Sequence, residues 1–454
     1  MSWPARGVGR GGIPRAGHLL SIKEDPHMHT CYLQSGSLRA HLAGPGVVPP
    51  LRACRRGQLK PLPGGEEVEE TFDLALEGPG DFDRLALDLE QLLTRARLGT
   101  ECWLWLGLEA DAPLHRAPVT GGRLTWLARD ALSAGLRLTL RRADYWEGGE
   151  RTALPLSNPL GAGQGPQRVT WACNWVAFTP PPGGSLETGL CLEAFNDRPG
   201  ALPLAQLLAF TGREAWAGGA PVWEGEEGLP GPNVDAYTYQ APAFSGGHYR
   251  SFQWSTAGPV LAAKFALTGL SEALFSGEPC RAALALVVPP AAGLRLWWRL
   301  TSDTGVELAA SIPAWADPQR RLQVLAPLAC PEPPEGGWST GWLELWAEAS
   351  ALPATLPLDQ LQVLPARGFR AYRPLEPTPA GWVFLDDPES GQPACSREPV
   401  SGLTRPTHVP AGPPLLAWPG AQQALFLLWD QAGGLDLNQE LRVRLSARPR
   451  RSAL

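Results

Sequence analysis

The feature that most constrains this chain is how finely its apolar residues are divided. From about residue 160 onward, short apolar runs occupy 168–178, 186–195, 203–210, 259–266, 281–288, 293–300, 306–312, 321–327, 341–347, 359–364, 424–429 and 440–446, with Pro- or Gly-bearing turns between them. Glycine (51) and proline (48) supply roughly a fifth of the 454 residues, and they follow no G-X-Y period that would indicate collagen. Runs this short and this regularly punctuated belong to β-sandwiches and jelly rolls, not to helical bundles. Hydrophobic residues at 44% still leave enough apolar material for real cores, and a length of 454 suggests several domains.

The first part of the chain reads differently. Residues 70–78 alternate, with Phe72, Leu74 and Leu76 on one face and Thr71, Asp73 and Glu77 on the other, as in a half-buried strand. A helix is predicted over 81–97, where Phe82, Leu85, Leu89, Leu92, Leu93 and Ala96 recur at helical spacing. Asp81 stands at the N-cap, and Arg95 and Arg97 stand at the negative end of the dipole. Strands follow at 102–108, 122–128 and 135–142. The first carries Trp103 and Trp105 on one face and Leu104, Leu106 and Leu108 on the other, so both its faces are expected to be covered.

Charge narrows the class further. The net charge of -6 argues against a general nucleic-acid binder. Residues 1–60 hold nine Arg or Lys against two acids, and residues 61–100 hold ten acids against three Arg, which suggests that one segment docks on the other or on a neighbouring subunit. The N-terminal stretch has Pro and Gly where a signal peptide would be apolar, and no uninterrupted apolar run is long enough to span a membrane. These features lead to the expectation of a soluble protein folded in a cytoplasm. The eight scattered cysteines form no C-x-x-C pair and read as reduced core residues.

Candidate chemistry is sparse. Residues 7–12 match G-x-G-x-x-G but lack the strand before and helix after that a dinucleotide needs, so they read as an arm. His27, His29 and Cys31 sit at i, i+2 and i+4, a possible zinc edge that lacks a local fourth ligand and equally suits an exposed strand. Glu224, Glu226 and Glu227, and separately Asp386 and Asp387, are carboxylates of the type that serve a glycoside hydrolase. Nothing in the sequence holds them at a defined separation. With no G-x-S-x-G and no H-E-x-x-H, the chain is expected not to be an enzyme, with no cofactor and no metal.

Tryptophan is the most suggestive residue. Nineteen are present against six Tyr, and Trp297, Trp298, Trp315, Trp338, Trp342 and Trp346 fall within one module, 256–372. In GWLELWAEA, Trp342 and Trp346 share a face with Glu344, while Leu343 and Leu345 point the other way. Trp297 and Trp298 must point to opposite sides, so one of them belongs to the core. Indoles on a sandwich surface stack on sugar rings or anchor a protein partner, and Trp338, Trp342 and Trp346 are the candidate contacts.

The order DFDRLALDLEQLL, CWLWLGL, GGRLTWL, LRLTLRRADYWEGGERTALPLSN resembles the N-terminal domain of distal tail proteins of tailed bacteriophages. The end of the chain, PPLLAWPGAQQALFLLW followed by LRVRLSARPRR, is similar to their C-terminal domain. Between them, 256–372 looks like an inserted carbohydrate-binding jelly roll, with LPLDQLQVLPARGFRAY resembling the last strand of such modules. The resemblance implies a mainly β protein: an N-terminal β-sandwich with one packed helix, followed by β-sandwich and jelly-roll domains. It places a ring-forming domain at 1–158, the first part of a peripheral β-sandwich at 159–255, the inserted jelly roll at 256–372, and strands completing the peripheral sandwich at 373–454. It further implies a virion structural protein of the tail tip or baseplate, assembled in the host cytoplasm. Such a protein forms a homo-oligomeric ring, a hexamer in this family, touching tail-tube and tail-hub proteins and host-surface carbohydrate. Trp103, Trp105, Phe82 and Leu89 are then candidate subunit-interface residues. The calcium site often found in such jelly rolls has no clear Asp/Glu ligand set in this sequence. The alternatives are a free-standing carbohydrate-binding β-sandwich protein and a glycoside hydrolase.

Overall fold

The structure is a computed structural model. It describes residues 28–452 apart from 79–80, 110–113, 131, 149, 203, 243, 268–273, 275–276, 330–340, 390–392 and 432–439. The chain is mainly β, with a single α-helix among the described residues. It divides into two compact units, one of residues 1–150 with 450–454 and the other of residues 151–449.

The first unit contains β1 (Thr30–Ser35), β2 (Leu38–Ala43), β3 (Leu51–Pro61), β4 (Glu67–Glu77), α1 (Phe82–Arg97), β5 (Trp103–Gly107), β6 (His115–Arg129), β7 (Ser133–Ala143) and β8 (Trp146–Gly148). Its sheet runs β2-β1-β5-β6-β7-β4-β3, β8 pairs with β6, and the strand Arg450–Arg451 returns to pair with β8. Asp81 caps α1, its side chain accepting from the Arg84 backbone N–H at 3.0 Å, which satisfies one of the helix's orphan donors. Phe82, Leu89, Leu92, Leu93 and Ala96 turn into the core beside Phe72, Leu104, Leu136 and Leu138. Close approach of helix and sheet depends on Gly122, because a Cβ there would lie 2.3 Å from the Thr139 carbonyl oxygen and 3.0 Å from Leu93. The two oppositely charged segments meet within this chain. Antiparallel β3 and β4 set Arg55 against Asp73 and Lys60 against Glu69, and Arg52 pairs with Glu77 and Arg56 with Glu70.

In the second unit, early and late strands interleave. One sheet places Trp175–Phe178 beside Gln423–Gln431, then Leu204–Gly212, then Arg370–Pro374. The other places Gln167–Val169 beside Leu441–Ala447, then Cys191–Phe195, then Val383–Asp386. Both pack into a core that includes Phe178, Leu192, Phe210, Phe384 and Val443.

The jelly roll is inserted into this sandwich. Leu204–Gly212 and Arg370–Pro374 are direct neighbours, Leu207 opposite Tyr372, although the whole module lies between them in sequence. Its sheets begin well before residue 256, since Val222–Glu224 and the hairpin Asp235–Gln240/His248–Trp254 pair into the same sheet as Ala354–Pro365 and Pro279–Leu286. Strands 222–254 therefore belong to the jelly roll, not to the peripheral sandwich as their sequence position suggested. Its second sheet orders Leu229–Pro230, Val260–Ala266, Gly341–Ala349, Leu294–Ser302 and Glu307–Ala310, with Ala314–Trp315 also on Leu294–Ser302. Insert and host are joined by buried polar contacts: Asn174 and Gln362 exchange side-chain hydrogen bonds of 2.8 and 3.3 Å, and Arg321 meets Asp430 at 2.8 Å.

Candidate functional site

The outer face of the jelly roll's second sheet gathers Trp297, Trp315, Trp342 and Trp346. Along Gly341–Ala349 the pattern alternates strictly: Leu343, Leu345 and Ala347 are buried, and Trp342, Glu344, Trp346 and Glu348 stand half-buried on the outer face. Register brings Trp297 opposite Trp346, Arg299 opposite Glu344 and Arg295 opposite Glu348. Trp298 points inward, fully buried, with its indole N–H donating to the Ala326 carbonyl at 3.0 Å.

Indoles and ion pairs alternate across this face. Trp297 and Trp346 stack with centroids 6.1 Å apart, the Arg299 guanidinium lies 3.8 Å from the Trp346 ring, and Trp346 donates its N–H to Glu344 at 2.8 Å. Arg299 also pairs with Glu307 at 2.9 Å, Lys264 lies 4.5 Å over Trp342, and Arg295 bridges Glu348 at 2.9 Å. Trp346 is thus covered by its neighbours, while Trp315, 68% exposed with Arg295 at 5.5 Å, is the most open indole among the described residues of the module. Flat apolar rings among fixed carboxylates and guanidinia suit a ligand with apolar C–H faces and many hydroxyls.

A second aromatic patch lies on the module's other sheet. Three of the six tyrosines lie on the hairpin Asp235–Gln240/His248–Trp254. Tyr239 and Tyr249 stack at 5.1 Å, Phe244 meets Tyr249 edge-on at 5.6 Å, and Tyr237 and Tyr239 are exposed. The alternation of DAYTYQ is the sequence signal for this patch.

Beside that hairpin the fold assembles three carboxylates. Glu224 accepts from the Ser245 hydroxyl at 2.8 Å, and fully buried Asp359 accepts from the Ser245 backbone N–H at 3.0 Å. One oxygen each of Glu224, Glu226 and Asp359 is buried without a hydrogen-bond partner. Burial, reinforced by the charges of Glu224 and Glu226, pushes the Asp359 carboxyl up to about 7, and burial also raises Glu224. Glu224, Glu226 and Asp359 form a cluster that the sequence alone did not bring together. Carboxylate oxygen is the donor a hard cation takes, but among the described residues no three His, Cys, Asp or Glu are placed to hold a metal ion, these included.

The remaining sequence candidates fall as follows. Trp338, His27 and the 7–12 motif lie outside the described residues. Cys31 is fully buried while His29 is exposed, so the two do not form a zinc edge. Phe82 and Leu89 face their own core and are unavailable to a neighbouring subunit, because the helix spends its apolar stripe on β6, β1 and β2. Trp103 and Trp105 are half-buried under the Arg116 guanidinium, at 3.7 and 5.8 Å, and Tyr32 stacks on Trp105 at 5.7 Å. The acids 386 and 387 are held structurally: Asp386 accepts from Arg370 at 3.0 Å and Tyr372 at 2.7 Å, and Asp387 is gripped by Arg151. Seven described cysteines are buried, and Cys330 lies outside the described residues.

No family model and no curated protein matches this chain. Among solved structures, an exo-beta-1,3-galactanase from Phanerochaete chrysosporium with galactose is similar at a TM-score of 0.20 and 9% identity, covering 74% of this chain and 95% of that chain. The expectation that this chain is not an enzyme is corrected by that finding, since the likeness is to an enzyme. A TM-score of 0.20 transfers neither residues nor substrate.

Proposed function

We propose that this chain is a bacteriophage distal tail protein whose inserted jelly roll recognises host-surface glycans. The outer face bearing Trp315, Trp297, Trp346 and Trp342 among Arg–Glu pairs carries the glycan part of this reading. The tail-tip setting rests on the resemblance of the chain's two ends, and the placement of the module between adjacent sandwich strands supports it. In such an assembly a ring multiplies weak sugar contacts by avidity, so a single open indole suffices on each copy.

Two measurements test the two parts. On a glycan array the full-length protein is expected to bind, with Trp315→Ala losing signal and Trp342→Ala weakening it. Undiminished binding by both variants would remove this face from the proposal. Electron micrographs of the purified protein are expected to show closed rings. Glycan binding by a protein that stays monomeric at high concentration would favour a free-standing carbohydrate-binding protein.

A further inference from the structure

A cavity of about 800 Å³ lies in the sandwich that hosts the jelly roll, in a part of the chain to which the glycan reading assigns no role. Three chain segments line it, 185–187, 213–214 and 418–423. The short ladder Thr188–Gly189/Leu416–Ala417 positions Glu187 and Trp418, and the ends of Leu204–Gly212 and Gln423–Gln431 position Arg213, Glu214 and Gln423. Gln423 is buried and clamps the turn, accepting from the Trp418 backbone N–H at 3.1 Å and donating to the Trp418 carbonyl. The lining is therefore carried on loops and turns anchored by the adjoining strand ends, with Gln423 as its strand residue.

Its lining has a definite chemistry. The Arg213 guanidinium lies 5.3 Å from the Trp418 ring, 3.3 Å from Glu278 and 4.0 Å from Glu187. Among the described lining residues one cation, Arg213, stands with two carboxylates, Glu187 and Glu214, so negative charge is in excess. Leu186 and Trp418 add apolar surface. The volume falls within the roughly 300–1,000 Å³ of ordinary small-molecule sites. Carboxylates accept from hydroxyls and ammonium groups, the guanidinium donates to ring or hydroxyl oxygens, and surplus negative charge repels anions.

We propose that this cavity is a saccharide site distinct from the jelly-roll face, selective for amino sugars over neutral ones and excluding uronic acids. The test titrates glucosamine, galactose and glucuronate separately into the full-length protein, read by calorimetry and tryptophan fluorescence. Glucosamine is expected to bind most tightly and glucuronate not measurably, with Glu187→Gln and Glu214→Gln each weakening glucosamine about tenfold. Both glutamates are exposed, so these variants keep the fold. In a Trp315→Ala/Trp342→Ala background, which removes the jelly-roll contacts, glucosamine binding sensitive to Glu187→Gln and Glu214→Gln is expected to persist, and its loss there would assign it to the jelly-roll face. Absence of saturable binding, equal or tighter binding of glucuronate, or insensitivity to both glutamate substitutions would overturn the proposal.

Discussion

At the scale of single residues, Asp359 is the most consequential side chain. Its carboxyl is held up to about 7 in the fold by burial and by Glu224 and Glu226, against an ordinary value of 3.8. Between those values the folded chain keeps a proton that the unfolded chain releases, so stability falls as pH rises, by about 1.4 kcal/mol per pH unit at the steepest. His408 acts in the opposite sense. Burial lowers it from 6.5 to about 4, so its neutral ring loses stability for the fold as pH falls through that window. Asp359→Asn keeps the shape and removes the first effect. Urea midpoints at pH 4, 5.5 and 7 should show the variant gaining on the wild type as pH rises, and parallel curves would show that Asp359 is not the group responsible. Much of this was hidden in the sequence. Glu224 and Glu226 stood out as an acidic patch, but Asp359, more than a hundred residues later, reads as one polar position in an alternating strand until the sheet places it beside them.

At the scale of elements, α1 is the clearest case of a segment that declares itself. Its cap, its apolar stripe and its C-terminal arginines all agree, and the structure forms it over Phe82–Arg97. Asp81→Ala should cost about 1 kcal/mol through loss of the N-cap bond. Leu89→Ala, at a fully buried position, should cost roughly 2–5 kcal/mol through lost transfer energy and the cavity left behind. Chemical denaturation followed by circular dichroism measures both, and a Leu89→Ala effect near zero would contradict the packing described here. The Trp342 strand was equally legible, because a period of two fixes which residues share a face. Its openness was not. Arg299 and Trp297 cover Trp346, and they come from a neighbouring strand about fifty residues earlier in sequence, so Trp315 emerges as the exposed indole instead.

At the scale of the whole molecule, the insertion governs how the second unit holds together. Jelly roll and host sandwich share one continuous hydrophobic cluster, and the first unit has its own. Calorimetry should therefore resolve the first unit as a separate transition and show sandwich and jelly roll melting together. The Asn174–Gln362 pair tests the junction. Each single change to Ala strands a buried amide and should cost about 1–3 kcal/mol, while the double change should cost less than the sum. Strict additivity would mean that the two side chains do not support each other.

Local information alone determined the β class, the single helix and its cap, and the inward or outward side of strands such as 341–349, because each depends on a short period in sequence. The pairing of the basic and acidic segments as β3 and β4, the start of the jelly roll before residue 256, the carboxylate cluster and the Arg213 cavity were decided only by tertiary structure. Each is made by residues brought together across a sheet or a turn, and antiparallel strands of similar composition carry no local mark of which partner they will take. That choice is made by the packing of all the faces at once.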